Sequence, residues 1–386
     1  MVTTVPVTLK AFLLPYADNF RRRGWKVDCL SRQVTADEVC SSHFDGCYDV
    51  GWSRNPFSIS NSAAFHGCVS RIRELVIKER YDIIHVHTPV AAFIVRYALK
   101  NIRAGLGACV IYTAHGFHFY NGGGRISNFV FKTAERIAAK WTDLLIVMND
   151  EDYAAALSFM PAERVVKMNG VGLELEHYSL RVTPPESISE FRNSIGLRPS
   201  DKLFSYIAEF NPGKRHADVI KALANIKDER FHLAFAGTGH MMNEMVELAA
   251  ELNISGQVHF VGFQSDVRPL LAASAAMVMP SKREGLPRSV MECMAMRTPV
   301  IGLNIRGTGD LLKDGCGFLI EPDDKRVERF AKIMKYCTDE KNAREVDKIK
   351  EFAYNRIRNY DIKILVKEHE ELYEMVKRID KQKLPG

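Results

Sequence analysis

Along this chain short runs rich in Val, Ile and Leu alternate with longer stretches in which apolar residues recur every three or four positions. The short runs predict strands buried on both faces and the longer ones predict helices, so the alternation describes βαβ units around parallel sheets. In the first half the strand candidates are residues 26–30, 83–87, 109–113, 144–148 and 165–168, with helices at 62–79 and 126–140. The second half repeats the pattern, with strands at 203–208, 231–236, 258–261, 276–279 and 300–302 and a helix at 241–252. Two doubly wound, Rossmann-like α/β domains are the expected architecture.

The alternation lapses after Tyr178, where Pro184, Pro185 and Pro199 fall. A first domain at 1–180, a linker at 181–200 and a second domain at 201–360 are therefore expected, with a charged helical tail at 361–386 packing back on the first domain. Open parallel sheets bind ligands beyond the carboxyl ends of their strands, so the chemistry should lie in a cleft between the domains.

Composition sets limits. With 386 residues, 46% of them hydrophobic and 26% charged, the chain can bury substantial cores, which excludes disorder, collagen and coiled coil. No apolar run approaches the roughly 20 residues of a membrane span, and the start lacks the layout of a signal peptide, so a cytosolic protein is expected. Eight cysteines without a CxxC pair read as reduced structural thiols. The net charge of +6 favours anionic partners such as phosphate or anionic lipid without requiring nucleic acid. Arg21, Arg22, Arg23 and Lys26 surround Trp25. A solvated helix end and a contact with an anionic membrane surface are level readings of that cluster.

The most informative segment is 280–301, PSKREGLPRSVMECMAMRTPVI, which follows an apolar strand and opens a helix. Glu284 and Glu292 are eight residues apart, just over two helical turns, so both carboxylates can reach one site. That spacing alone is common in ordinary helices; the REGLP turn between strand and helix makes the pair informative. His85, His87, His115 and His118 cluster in the first half, yet no carboxylate lies between His85 and His118 and the only thiol there is Cys109, so a metal is disfavoured. Gly122, Gly123 and Gly124 make a flexible loop, without the ending of a Walker A motif, and no GxGxxG follows a strand.

Together with AGTG at 236–239, VGFQSDV at 261–267, HVHTP at 85–89, TAHGFHFY at 113–120 and GVGLELEHY at 170–178, this segment resembles the family-4 retaining glycosyltransferases over nearly the whole chain. The resemblance implies the GT-B fold, two Rossmann-like domains with an interdomain cleft, and no metal or other cofactor beyond the nucleotide-sugar substrate. It is nearest to enzymes of bacterial capsule, exopolysaccharide and lipid-linked oligosaccharide assembly. Carried over by position, Glu284 would bond donor-sugar hydroxyls and Glu292 the ribose, roles suited to ionised carboxylates. Lys214, in the turn Asn211-Pro-Gly-Lys214-Arg215, would stabilise the diphosphate leaving group, with Arg215 beside it. The amides of Gly285, Leu286 and Arg288 would receive the diphosphate near a helix start, and Gly237 and Phe263 would complete the donor site. His115 would support the donor sugar as a catalytic residue, with Thr8, His87 and His118 on the acceptor side; His85 reads as a packed polar residue.

Two features depart from the family pattern. Glu209 stands where many members carry a phosphate-binding arginine, so Lys282, Arg283 or Arg288 must supply the charge; Glu209 is expected to orient a substitute, with Arg283 making the phosphate contact. The chain also offers only Met1 and Val2 as a first strand before Thr3, so either the native start lies upstream or the first strand is short.

The expected reaction is metal-independent, retaining transfer of a sugar from a nucleotide sugar, a UDP-sugar foremost, to a lipid-linked or glycan acceptor at the inner membrane face. The alternatives are a UDP-sugar 2-epimerase and a catalytically silent nucleotide-sugar-binding partner.

Overall fold

A computed structural model describes residues 1–52 and 59–383. The chain divides into two compact units: Met1–Gly172 with Ile362–Gly386, and Leu173–Asp361. The boundary therefore falls before the expected 181–200 linker. That segment instead holds the helix Pro185–Ser194 of the second unit. Pro185 sits in the first turn, where a missing amide costs nothing and the fixed φ favours helix, so Pro184 and Pro185, which looked like a linker, mark a helix start.

The first unit contains β1 (Asp28–Ser31), β2 (Gly46–Asp49), β3 (Ile83–His87), β4 (Cys109–Ala114), β5 (Leu144–Val147) and β6 (Val165–Lys167), all paired in parallel. β1 and β2 form one ladder and β3-β4-β5-β6 another. Val2 bridges them through Leu30 on one side and Val86 on the other. Its amide donates to His85 O at 2.8 Å and its carbonyl accepts from His87 N at 2.8 Å. The first strand is thus a short bridge. Beneath it lies a cavity of about 380 Å³ lined by Met1, Asp28, Tyr81 and Ile83 among others, where burial lowers the pKa of the Met1 ammonium, which donates to Asp28 O at 2.7 Å.

The helices Pro6–Phe12 and Leu14–Arg22 cover one face of this sheet together with the last helix, Ile362–Lys383. Leu9, Tyr16, Phe20, Val366, Tyr373 and Val376 share one core there. The basic cluster beside it is internally partnered: Arg21 donates to Asp45 at 3.0 Å, Arg22 to Asp18 O at 3.3 Å, and Arg23 pairs with Glu370. Lys26 pairs with Glu79 at 2.6 Å.

The second unit has β7 (Lys202–Ile207), β8 (Phe231–Ala236), β9 (Val258–Gly262), β10 (Ala276–Met279), β11 (Val300–Leu303) and β12 (Phe318–Ile320). Their order, β12-β11-β10-β7-β8-β9, reverses direction between β7 and β10. That topological switch is where doubly wound sheets open a crevice for ligands. β8 and β10 are buried along their whole length, which is why they read as continuous apolar runs.

Candidate functional site

Two loops of the second unit flank its switch point, one after β7 and one after β10. The first loop turns through Asn211, whose side chain accepts from Gly213 N at 3.0 Å, and Lys214 N donates to Asn211 O at 3.1 Å. Its end is anchored by Tyr206, whose hydroxyl donates to Lys214 O at 2.9 Å and meets Ser281 Oγ at 2.9 Å. The second loop is tied to the first where Lys282 N donates to Gly213 O at 2.8 Å. These bonds hold Lys214 Nζ 2.5 Å from Glu284 Oε1, two residues from opposite sides of the switch. Arg306, 8% exposed, fixes the same loop by donating from Nε to Glu284 O at 3.0 Å.

Glu292 lies in the helix Arg288–Ala295 and is buried. Its Oε1 accepts from Arg288 Nε at 3.0 Å and from the Tyr178 hydroxyl at 2.9 Å. Burial raises its pKa, while Arg288 and Tyr178 pull it back down. Gly285 and Leu286 lie in the loop just before this helix, half-buried. Gly237, at the end of β8, has φ +146° and lies so close to the first loop that a Cβ would stand 2.0 Å from Ala208 O. Only glycine fits there. Phe263 is 77% exposed beyond the end of β9.

Arg215 takes a left-handed conformation, φ +52°, and its Nη1 is buried without a hydrogen-bond partner among the described residues. A buried guanidinium nitrogen lacking an acceptor is suited to an incoming anion. Glu209, expected to orient an arginine, is exposed, and among the described residues its carboxylate accepts from Asn211 Nδ2 at 3.2 Å. Arg306 and Tyr178 were not singled out from the sequence. Tyr178 ends the GVGLELEHY motif and could have been found there; Arg306 carries no motif of its own.

In the first unit, His115 follows β4 and its Nε2 lies 3.1 Å from His87 Nδ1, at the end of β3. Phe12 stacks on the His115 ring with centroids 5.7 Å apart. Burial, then His369, lowers the His115 pKa to about 4, so its ring is neutral at pH 7. His87 is buried, and its Nε2 has no hydrogen-bond partner among the described residues. The ring of His87, expected on the acceptor side, packs against that of His115 with centroids 5.3 Å apart. His85 is packed as expected: Nε2 meets Thr113 Oγ1 at 2.7 Å and Nδ1 meets the Tyr373 hydroxyl. His118 is half-buried, its ring 4.9 Å from that of Phe131, and Thr8 lies half-buried in the helix Pro6–Phe12. Among the described residues no group of three His, Cys, Asp or Glu side chains is placed to hold a metal ion.

Residues 187–356 match the family described as glycosyl transferases group 1, and residues 13–173 match glycosyltransferase family 4. EpsD of Bacillus subtilis (strain 168) is 33% identical over 343 residues, 86% of this chain and 87% of that protein. The chain is a family-4 glycosyltransferase. A second relative of this glycosyltransferase is the UDP-Gal:alpha-D-GlcNAc-diphosphoundecaprenol alpha-1,3-galactosyltransferase of Escherichia coli, 30% identical over 280 residues, 69% of each chain. Among solved structures, HepE of Anabaena in complex with UDP superposes with a TM-score of 0.77 at 18% identity, covering 97% of this chain and 98% of that one. WaaG, a glycosyltransferase of lipopolysaccharide biosynthesis, does so with 0.68 at 15% identity, covering 97% and 99%. The fold is GT-B, two domains built on parallel sheets.

Proposed function

We propose that this glycosyltransferase moves a sugar from a UDP-sugar to a lipid-linked or glycan acceptor in the assembly of a bacterial surface polysaccharide, with retention of anomeric configuration and without a metal. The observation that carries the reading is the Lys214–Glu284 pair, held at 2.5 Å by loops on both sides of the second unit's switch point. The Escherichia coli relative, whose name specifies a UDP-sugar and a diphosphoundecaprenol-linked acceptor, supports the donor and acceptor classes. The UDP complex of the Anabaena neighbour agrees with a uridine donor.

In this reading the bond between sugar C1 and the diphosphate oxygen breaks, and its electron pair stays on the diphosphate. Lys214 and Arg215 stabilise that charge, the role a divalent cation has in other designs. The acceptor hydroxyl attacks C1 on the face the diphosphate leaves, and its proton passes to the departing phosphate oxygen. Glu284 accepts hydrogen bonds from the sugar hydroxyls and Glu292 from the ribose. Neutral His115, steadied by His87, hydrogen-bonds the sugar without adding a charge.

UDP release from UDP-sugars, measured with and without a polyprenyl-diphosphate-linked sugar and with EDTA, tests this. The expected outcome is release only with acceptor, unchanged by EDTA. Isomerised free sugar nucleotide would identify a 2-epimerase, binding without turnover a silent partner, and rescue by metal after EDTA would end the metal-independent reading.

A further inference from the structure

The helix Arg125–Ala139 follows the Gly122–Gly124 loop beyond the end of β4. Its inner side carries Ala138 and Glu135, the latter paired at 2.9 Å with the buried Arg96. Its outer side is unusual for a soluble protein. Ile126 is 83% exposed and Phe129 73%, with Val130 and Ile137 also exposed. These positions are i, i+3, i+4 and i+11, with Thr133 at i+7, so they form a single row along the helix.

A second row runs beside the first, roughly 80° around the helix at ~100° per residue. It consists of Arg125, Lys132, Arg136 and Lys140, at i, i+7, i+11 and i+15. None of the four is in an ion pair among the described residues, because the helix's one acid, Glu135, is turned inward to Arg96. The Arg21–Arg23 cluster is the opposite case, basic in sequence but bonded to Asp45, the Asp18 carbonyl and Glu370.

We propose that the outer face of the 125–139 helix binds an anionic lipid surface, with Ile126, Phe129, Val130 and Ile137 entering the boundary between headgroups and acyl chains and the cationic row lying on the headgroup phosphates. An apolar row bordered by unneutralised cations is the pattern of a helix lying in a membrane interface. A protein partner would need a broader apolar core with a mixed polar rim, and this face offers one row of side chains and a rim of one sign. The membrane contact stands independently of the transferase reading. Where that reading holds, it adds a consequence: Phe131 of the same helix touches His118, so a lipid-linked acceptor in the bilayer would present its head group beside the histidines at the end of the first sheet.

Flotation of the full chain with phosphatidylcholine vesicles, with and without phosphatidylglycerol, tests the proposal without any turnover. The wild type should float with anionic vesicles, less as sodium chloride rises. Ile126→Ser with Phe129→Ser should reduce the bound fraction about tenfold at unchanged melting temperature, since both side chains are exposed. Arg136→Ser with Lys140→Ser should weaken binding to anionic vesicles and flatten its salt dependence, whereas the triple change of Arg21, Arg22 and Arg23 to Ser should leave binding unaltered. In Phe129→Trp, vesicles should shift the emission to the blue. Equal flotation of wild type and the Ile126/Phe129 variant, or loss only in the Arg21–Arg23 variant, would overturn the assignment. So would absence of flotation alongside a concentration-dependent dimer that Phe129→Ser abolishes, which would give the face to a second copy of the chain. Turnover on a short, water-soluble acceptor, measured in parallel, separates failure of this proposal from failure of the transferase reading.

Discussion

Lys214 and Glu284 meet only because neighbouring groups leave their loops little freedom: the Tyr206 hydroxyl holds the Lys214 carbonyl, and Arg306 holds that of Glu284. Each charge is thus oriented before any ligand arrives, which is what makes a charged group effective in a transition state. Lys214→Ala and Glu284→Ala should each lower kcat/KM at least about thirtyfold with the fold intact, a loss of roughly 2 to 4 kcal/mol in transition-state stabilisation. Near-normal rates in both folded variants would remove the pair from the site. At this scale the sequence was informative where a motif surrounded the residue, as for Glu284, Glu292 and Lys214. It was mute for Arg306, a buried cation recognisable only once Glu284 O lies beside it. For Glu209 the pattern could not name the partner, because side-chain pairing depends on turn geometry, and the turn offers Asn211.

Among elements, strands buried on both faces were legible as apolar runs, and β8 and β10 fall where the pattern put them. β2 and β12 were not. β2 is half-exposed GCYD at a sheet edge and β12 is three residues long, so neither carries a run long enough to stand out. The loops at the second unit's switch point depend on close backbone approach that a hydrophobic pattern does not encode. Gly307 has φ +76° and a Cβ there would lie 2.1 Å from Gly285 O, in the loop that carries Glu284. Gly307→Ala should therefore displace that loop, lowering UDP affinity and costing about 1 to 3 kcal/mol of stability. Calorimetric titration of UDP and thermal melting check both; wild-type values in the two measurements would mean the loop tolerates the side chain.

For the whole molecule, burial lowers the pKa of His85, His87, His115, His216, His232, His259 and His369, so both units keep neutral histidines inside. An unfolded chain binds protons at these sites near pH 6.5 while the folded chain resists them down to about 4 for His115, His216, His259 and His369. The stability they contribute is present above pH 6.5 and drains away as the pH falls toward 4, because the unfolded state then binds more protons. Denaturant midpoints measured from pH 7.5 to 5 should fall steadily, by an amount on the order of several kcal/mol in free energy. A flat profile would mean that the rings take up protons in the folded protein as readily as in the unfolded chain.

The chain leaves the first unit at Gly172 and re-enters it at Ile362, and the helix beginning there completes the core of Tyr16 and Phe20. During synthesis the amino-terminal half therefore emerges first yet lacks one wall until the helix beginning at Ile362 has been made, almost two hundred residues after Gly172. The second unit, contiguous in sequence, can close while the first still waits with an apolar face uncovered. Birth order and completion order are inverted, and the interval between them is the period in which a nascent chain most needs protection from its neighbours.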